Sequence, residues 1–280
     1  MTIDGALRFA TERLTETGVA DPRREAASLL TFAIDRPSSY VIAHPEYRLT
    51  DQESSTFQSI VERRARREPF QYITGRQEFW GLEFEVVPGV LIPRPETEIL
   101  VEAGVEHLQT LWSPRFAEAG VGSGCISVSI LYSVPGAAVI GTDLNKDALE
   151  LAGRNAAKHH VDARLELREA DLFGSVDGEF DLLVSNPPYI PDGDIAGLQN
   201  EVRDYEPHTA LAGGEDGLDI VRRIVDEARH ILRPGGVLMM EIGAGQSTAV
   251  AELFDLRAWE RPEFRLDLQR IPRVVTAARR

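Results

Sequence analysis

Over the first seventy residues, apolar side chains recur at helical spacing. Ala6, Leu7, Ala10 and Leu14 fall on one face, with Asp4 placed to cap the segment. Asp21-Pro22 opens a second helix through Ala26, Leu29, Leu30 and Ala33, the proline fitting its first turn. Thr50 and Glu53 stand three apart ahead of Phe57, Ile60 and Val61, the spacing of a capping box. The period then shortens. Gln71-Tyr72-Ile73 and Phe79 to Val86 alternate, which predicts a hairpin with Gly75 in its turn region. Pro88, Gly89, Pro93 and Pro95 break the chain after it.

From residue 96 onward, helical and extended patterns alternate. Helices are predicted over 96–111, 125–132, 147–158, 217–232 and 245–254. Strands are predicted over 115–119, 137–142, 164–168, 180–185, 236–242, 264–268 and 273–277. Repeated strand–helix units imply an α/β fold with a doubly wound, mostly parallel sheet of seven strands. A small helical domain (1–70) and a β-hairpin linker (71–95) precede the sheet domain (96–280). Ligands of such sheets bind at the carboxyl ends of the strands, where Asp143, Asp171 and Asn186 fall.

Composition narrows the class of partner. The 280 residues carry a formal charge of −15, and residues 86–280 hold most of it, 19 basic against 31 acidic. Such a surface repels phosphate backbones, so direct nucleic-acid binding is not expected. Cys125 is the only cysteine, which excludes a disulfide framework and a cysteine-based zinc cluster. The apolar run Leu29–Ile34 is far shorter than a membrane span, and Met1-Thr2-Ile3-Asp4 lacks the basic start of a signal peptide. The expectation is a cytoplasmic protein with no metal site and no membrane partner.

Gly120, Gly122 and Gly124 lie between a predicted strand and a predicted helix, where glycine lets backbone approach a ligand closely. Asp143, at the end of the next strand, is placed to accept both hydroxyls of a ribose. Asp171 follows the third strand, where its side chain could meet an adenine amino group, with Leu172 and Phe173 covering the ring. A dinucleotide fingerprint needs one more residue between its second and third glycines. The spacing therefore favours S-adenosylmethionine over NAD.

Asn186-Pro187-Pro188-Tyr189 carries the most chemistry. The prolines hold the backbone extended. The Asn186 side-chain oxygen and the Pro187 carbonyl could accept both hydrogens of a planar NH₂ group, and the Tyr189 ring offers a surface for it. The tetrapeptide is a clamp for an amide or an exocyclic amine.

The chain resembles the HemK/PrmC family of protein-(glutamine-N5) methyltransferases. The resemblance rests on Pro69 to Gly75, Leu91-Ile92-Pro93-Arg94-Pro95-Glu96-Thr97-Glu98, Gly122 to Ile126, Asn186 to Ile190, Glu206-Pro207 with Ala210-Leu211, and Arg273-Val274-Val275. It implies a Rossmann-like methyltransferase domain that uses S-adenosyl-L-methionine. It also implies transfer of a methyl group to the glutamine of a Gly-Gly-Gln loop in peptide-chain release factors, which the helical domain helps engage. By this resemblance Asn186, Pro187, Pro188 and Tyr189 are catalytic. Glu118, Ala119, Gly120, Val121, Gly122, Asp143, Asp171, Leu172 and Asn186 bind the cofactor. Glu118-Ala119-Gly120-Val121-Gly122 departs from the family's usual Asp-Leu-Gly-Thr-Gly, and its carboxylate is one methylene longer.

Other conspicuous residues have plainer readings. Cys125 sits among apolar neighbours as a buried small residue. His159-His160 reads as a solvated helix end, and Arg63-Arg64-Ala65-Arg66-Arg67 as cations near a helix carboxyl terminus rather than an RNA contact. Glu206-Pro207-His208 fits either loop structure or substrate contact. Three other functions use the same residues: an adenine-N6 nucleic-acid methyltransferase, a methyltransferase of ribosomal-protein glutamine, and a non-catalytic partner-binding module.

Overall fold

The computed structural model describes all 280 residues, which divide into two compact units. The first comprises Met1–Gly75 and Gln199–Tyr205, the second Arg76–Leu198 and Glu206–Arg280.

The first unit contains α1 (Ile3–Glu16), α2 (Pro22–Ile34), α3 (Ser38–Ala43), α4 (Asp51–Ala65) and α5 (Phe70–Thr74). The expected helical face of α1 is buried at Ala6, Ala10 and Leu14, against Leu29, Leu30, Phe57 and Val61. Its cap is Thr2 rather than Asp4, because the Thr2 hydroxyl accepts from the Gly5 amide. The capping box at Thr50 and Glu53 forms in both directions. The 70–74 segment is helical, not extended. Ile73 N–H bonds the Pro69 carbonyl, and Gly75, at φ +72°, closes the turn through its N–H to Gln71. Three alternating residues are too few to separate a strand from one helical turn.

The arginine cluster at the end of α4 is internal structure. Arg64 is 5% exposed. It donates through Nε to Glu25 (2.9 Å) and through Nη2 to Glu201 (3.0 Å). Arg67 grips Glu201 with two bonds and donates to the carbonyls of Thr17 and Gly18. Arg63 pairs with Glu68.

The second unit begins with a two-stranded hairpin, β1 (Arg76–Phe79) and β2 (Leu82–Glu85). Trp80 and Gly81 form its turn, both at positive φ (56° and 67°), as a two-residue hairpin loop demands. A tryptophan at positive φ is strained. Its N–H bonds Glu98 and its indole N–H bonds Ser133, and these two bonds hold it there.

The remaining elements are α6 (Glu98–Leu108), β3 (Arg115–Ala119), α7 (Cys125–Ser133), β4 (Ala138–Asp143), α8 (Lys146–Lys158), β5 (Leu165–Glu169) and β6 (Phe180–Ser185). The chain passes through α9 (Asn200–Tyr205) of the first unit. It returns for α10 (Asp219–Ile231), β7 (Leu232–Glu241), α11 (Ser247–Glu252), β8 (Glu263–Leu266) and β9 (Pro272–Ala278). The sheet has seven strands in the order β5-β4-β3-β6-β7-β9-β8. Strands β3 to β7 pair in parallel, while β9 pairs antiparallel with both β7 and β8.

Strand alternation sends side chains to both faces. Phe116, Leu182, Val184 and Met239 join α6 and α7 on one side. Ala117, Leu183, Leu238 and Met240 join α10 and Trp259 on the other. A sheet covered on both faces needs such near-continuous apolar strands.

Removing the charge at Arg64 leaves the Glu25 carboxylate without that cation and leaves Glu201 held by Arg67 alone. Arg64→Ala is expected to cost about 1–3 kcal/mol, the range for hydrogen bonds lost at partly buried charged groups. Hydrogen-exchange protection of the α1, α2 and α4 amides measures it, and unchanged protection would contradict this account.

Candidate active site

The sheet reverses its strand order between β3 and β6, and ligand crevices of such sheets open at that point. Ala119 pairs with Ser185 at the carboxyl ends of the two strands, and the Ser185 hydroxyl bonds the Ala119 carbonyl (2.8 Å). The next residues are Gly120 on one side and Asn186 on the other. Strand pairing thus sets the glycine loop and the clamp side by side.

Between them lies a cavity of about 420 Å³. Its walls include Glu118, Gly120, Val121, Gly122, Asp143, Asp171, Leu172, Asn186 and Pro188. Ala119 and Pro187 are buried and lie outside the walls, and so does half-buried Tyr189. The segment Gly89–Arg94 with Thr97 forms a further wall. In sequence it reads as proline punctuation between domains. Glu206 anchors it, since its buried carboxylate accepts from the Ile92 N–H and from Arg94. That gives Glu206 a structural duty, while neighbouring Pro207 lines the cavity.

Gly120 adopts φ +74°, which lets its amide and that of Val121 both bond the Thr142 carbonyl. Asp143 accepts from Gly122 N–H (2.9 Å) through one oxygen and from Asn145 N–H (2.8 Å) through the other. These bonds hold the carboxylate at the cavity edge. Asp171 pairs with Arg223 at 2.8 Å, an exposed bridge that leaves its second oxygen open. Leu172, at φ +48°, is held by its carbonyl's bond to the Thr142 hydroxyl. Phe173 does not cover a ligand face, because it is buried in the core beneath α10.

Glu118 is 1% exposed. One oxygen accepts from both the amide and the hydroxyl of Ser127. The other, Oε1, has no partner. Burial pushes this carboxyl up to about 8, with the Asp143 charge adding to the shift and the Ser127 bonds opposing it. Cys125 lines the cavity, but burial first and then the Glu118 charge push its thiol up to about 12, so it stays protonated and unreactive. His159 bonds the Glu83 carbonyl through its ring, and that ring packs against Phe84 with centroids 5.3 Å apart.

The clamp has partners that the sequence pattern does not reveal. Asn186 Nδ2 donates to the Thr97 hydroxyl (3.1 Å), and Thr97 donates to Glu241 Oε2 (2.6 Å). Tyr189 donates to Glu241 Oε1 (3.0 Å). Burial raises the Glu241 carboxyl, and the bonds from Thr97 and Tyr189 oppose that rise. Gln246 donates to the Tyr189 carbonyl (2.9 Å). A side chain at Gly217 would strike that same carbonyl at 2.3 Å, so only glycine fits there. The one sequence signal for Glu241 is a carboxylate ending the apolar run Val237-Leu238-Met239-Met240.

Residues 5–75 match the PrmC N-terminal domain model, and residues 97–199 match the methyltransferase small domain. A release factor glutamine methyltransferase of Geobacter sulfurreducens is 46% identical over 259 residues, covering 90% of this chain and 88% of the relative. One from Koribacter versatilis is 39% identical over 277 residues, covering 98% of each. Among solved structures, a methyltransferase from Pyrococcus furiosus has a TM-score of 0.52 at 16% identity, covering 80% of this chain and 98% of its own. A 16S rRNA N2 methyltransferase from T. thermophilus, in complex with AdoMet and guanosine, has a TM-score of 0.53 at 20% identity, covering 73% and 50%. These two share the fold.

The Glu118 carboxyl links stability to pH. From its unfolded value of 4.5 up to about 8, the folded chain holds a proton that the unfolded chain has lost, so stability falls as pH rises through that window. Glu118→Gln removes this contribution. The melting temperature of Glu118→Gln minus that of the unaltered protein is therefore expected to rise between about pH 5 and about pH 9, and parallel profiles would contradict the assignment.

Proposed function

Because the chain belongs to the release factor glutamine methyltransferase family, we propose that it methylates a release-factor glutamine at the side-chain nitrogen, N5, within a Gly-Gly-Gln loop. S-adenosyl-L-methionine is the methyl donor in this reading, the cytoplasm is the site of action, and the first unit engages the release factor. The observation that carries it is the Asn186 amide, tied back through Nδ2 to Thr97 at the wall of a cavity that also holds Glu118 and Asp143.

The residues fit that cofactor. Its sulfonium and ammonium are cationic, and the walls present the carboxylates of Asp143 and Asp171, with the buried Glu118 carboxyl giving up its proton when an ammonium is placed beside it. The unpartnered, buried Oε1 of Glu118 suits an ammonium donor. The Asp143 oxygens each spend one lone pair on backbone and keep others for ribose hydroxyls. When bound, the cofactor supplies an electrophilic methyl group.

The chain's own residues supply position. A glutamine amide nitrogen is a weak nucleophile because its lone pair is shared with the carbonyl. Asn186 Oδ1 and the Pro187 carbonyl accept its two hydrogens and aim the nitrogen along the line of attack. Both acceptors are neutral dipoles that stabilise positive charge developing on that nitrogen. The nitrogen's surplus proton is lost after transfer.

Labelled S-adenosylmethionine supplied with a release factor, its Gln→Ala loop variant, ribosomes and DNA in turn tests the reading. Label is expected in the release factor and not in its loop variant, and label confined to DNA would overturn it. Asn186→Ala is expected to lower turnover by about 10²–10³, as for loss of one transition-state acceptor. Asp143→Ala should instead weaken cofactor affinity by about tenfold to a hundredfold, the worth of a hydrogen bond to a charged group. Calorimetry that found unchanged affinity would remove Asp143 from the ribose assignment.

A further inference from the structure

We propose that Thr97 and Glu241 are positioning residues, a relay that decides which end of the Asn186 amide faces the cavity. The proposal rests on the glutamine reading above and adds two residues to it.

A carboxamide is nearly symmetric in shape, so packing cannot distinguish its oxygen from its nitrogen. Hydrogen bonds must do so. For this clamp the distinction is decisive. Oδ1 toward the cavity accepts the substrate's NH₂ hydrogens. The reversed amide would set NH₂ against NH₂.

The relay has a fixed direction. Glu241 takes hydroxyl hydrogens on both oxygens, from Tyr189 at 3.0 Å and from Thr97 at 2.6 Å. With Glu241 ionised, this bond consumes the one hydroxyl hydrogen of Thr97. Its oxygen is then only an acceptor for the group at 3.1 Å, so that group must be Nδ2 of Asn186. With the amide reversed, two oxygens would face each other with no hydrogen between them. Water cannot mend that, because Thr97 is 1% exposed and Glu241 2%. A carboxylate buried this deeply costs free energy that an apolar side chain would avoid. The same carboxylate also holds Tyr189, the last residue of the clamp, so one group sets both ends of the tetrapeptide.

The first measurement uses the unaltered protein, labelled with ¹⁵N at asparagine. One carboxamide hydrogen of Asn186 is expected to be protected from solvent exchange, with or without S-adenosylmethionine. Free exchange of both would overturn the proposal, whatever the substrate proves to be. The second measurement compares Thr97→Val, which keeps the shape and removes the hydroxyl, with Thr97→Ser, which keeps the hydroxyl. On a release factor, Thr97→Val is expected to lower kcat by about 30-fold while the calorimetric affinity for S-adenosylmethionine stays within about threefold. Thr97→Ser should recover kcat to within about threefold of the unaltered enzyme. Full turnover by Thr97→Val, or a folded Thr97→Ser as impaired as the valine variant, would overturn it. Where Thr97→Val does not fold, the exchange measurement and Thr97→Ser decide. Failure of the unaltered enzyme to label a release factor would instead count against the glutamine reading.

Discussion

The parallel pairing of β3 with β6 is the constraint on which the site depends. Its register sets Ala119 against Ser185, and a side-chain bond locks the two ends together. A shift of one residue would turn every side chain of one strand to the opposite face. Phe116 and Glu118 would then exchange surroundings with Ala117 and Ala119, and the glycine loop would no longer begin beside the clamp. The apolar layers on both faces hold this register, so the core and the site are one construction.

Around that pairing, the second unit places polar groups where water cannot reach them. Glu118, Thr97 and Glu241 are all nearly fully buried. Two of them are satisfied by other side chains in a network that reaches Asn186 and Tyr189. Glu118 keeps one oxygen unpartnered at the cavity wall. A protein built for stability alone would fill these positions with apolar side chains. At Thr97 and Glu241 the cost of burial is offset by directional bonds.

The first unit uses charge differently. Its arginine cluster looks in sequence like a solvated helix end. In the fold, Arg64 and Arg67 converge on Glu201, more than 130 residues away in the chain. Periodicity places these arginines on α4, but nothing local to them names a partner so distant. The same limit hides the duty of Glu206, which braces Ile92 and Arg94.

Local chemistry in the sequence determined the capping box at Thr50, the helical face of α1, the seven strands and their alternation with helices. It also determined the two motifs, Gly120-x-Gly122-x-Gly124 and Asn186 to Tyr189, because each is contiguous and its residue types have few other uses. Errors came where the local signal was short. Gln71 to Ile73 became one helical turn, Trp80-Gly81 became a tight turn inside an apparently continuous strand, and Phe173 turned into the core. Only the tertiary structure decided how the clamp is oriented. Thr97 and Glu241 lie 144 residues apart, and Thr97 and Asn186 lie 89 apart. Hydrogen bonds over such separations leave no periodicity in the chain. They exist only once the sheet has brought the ends of β6 and β7 beside the start of α6.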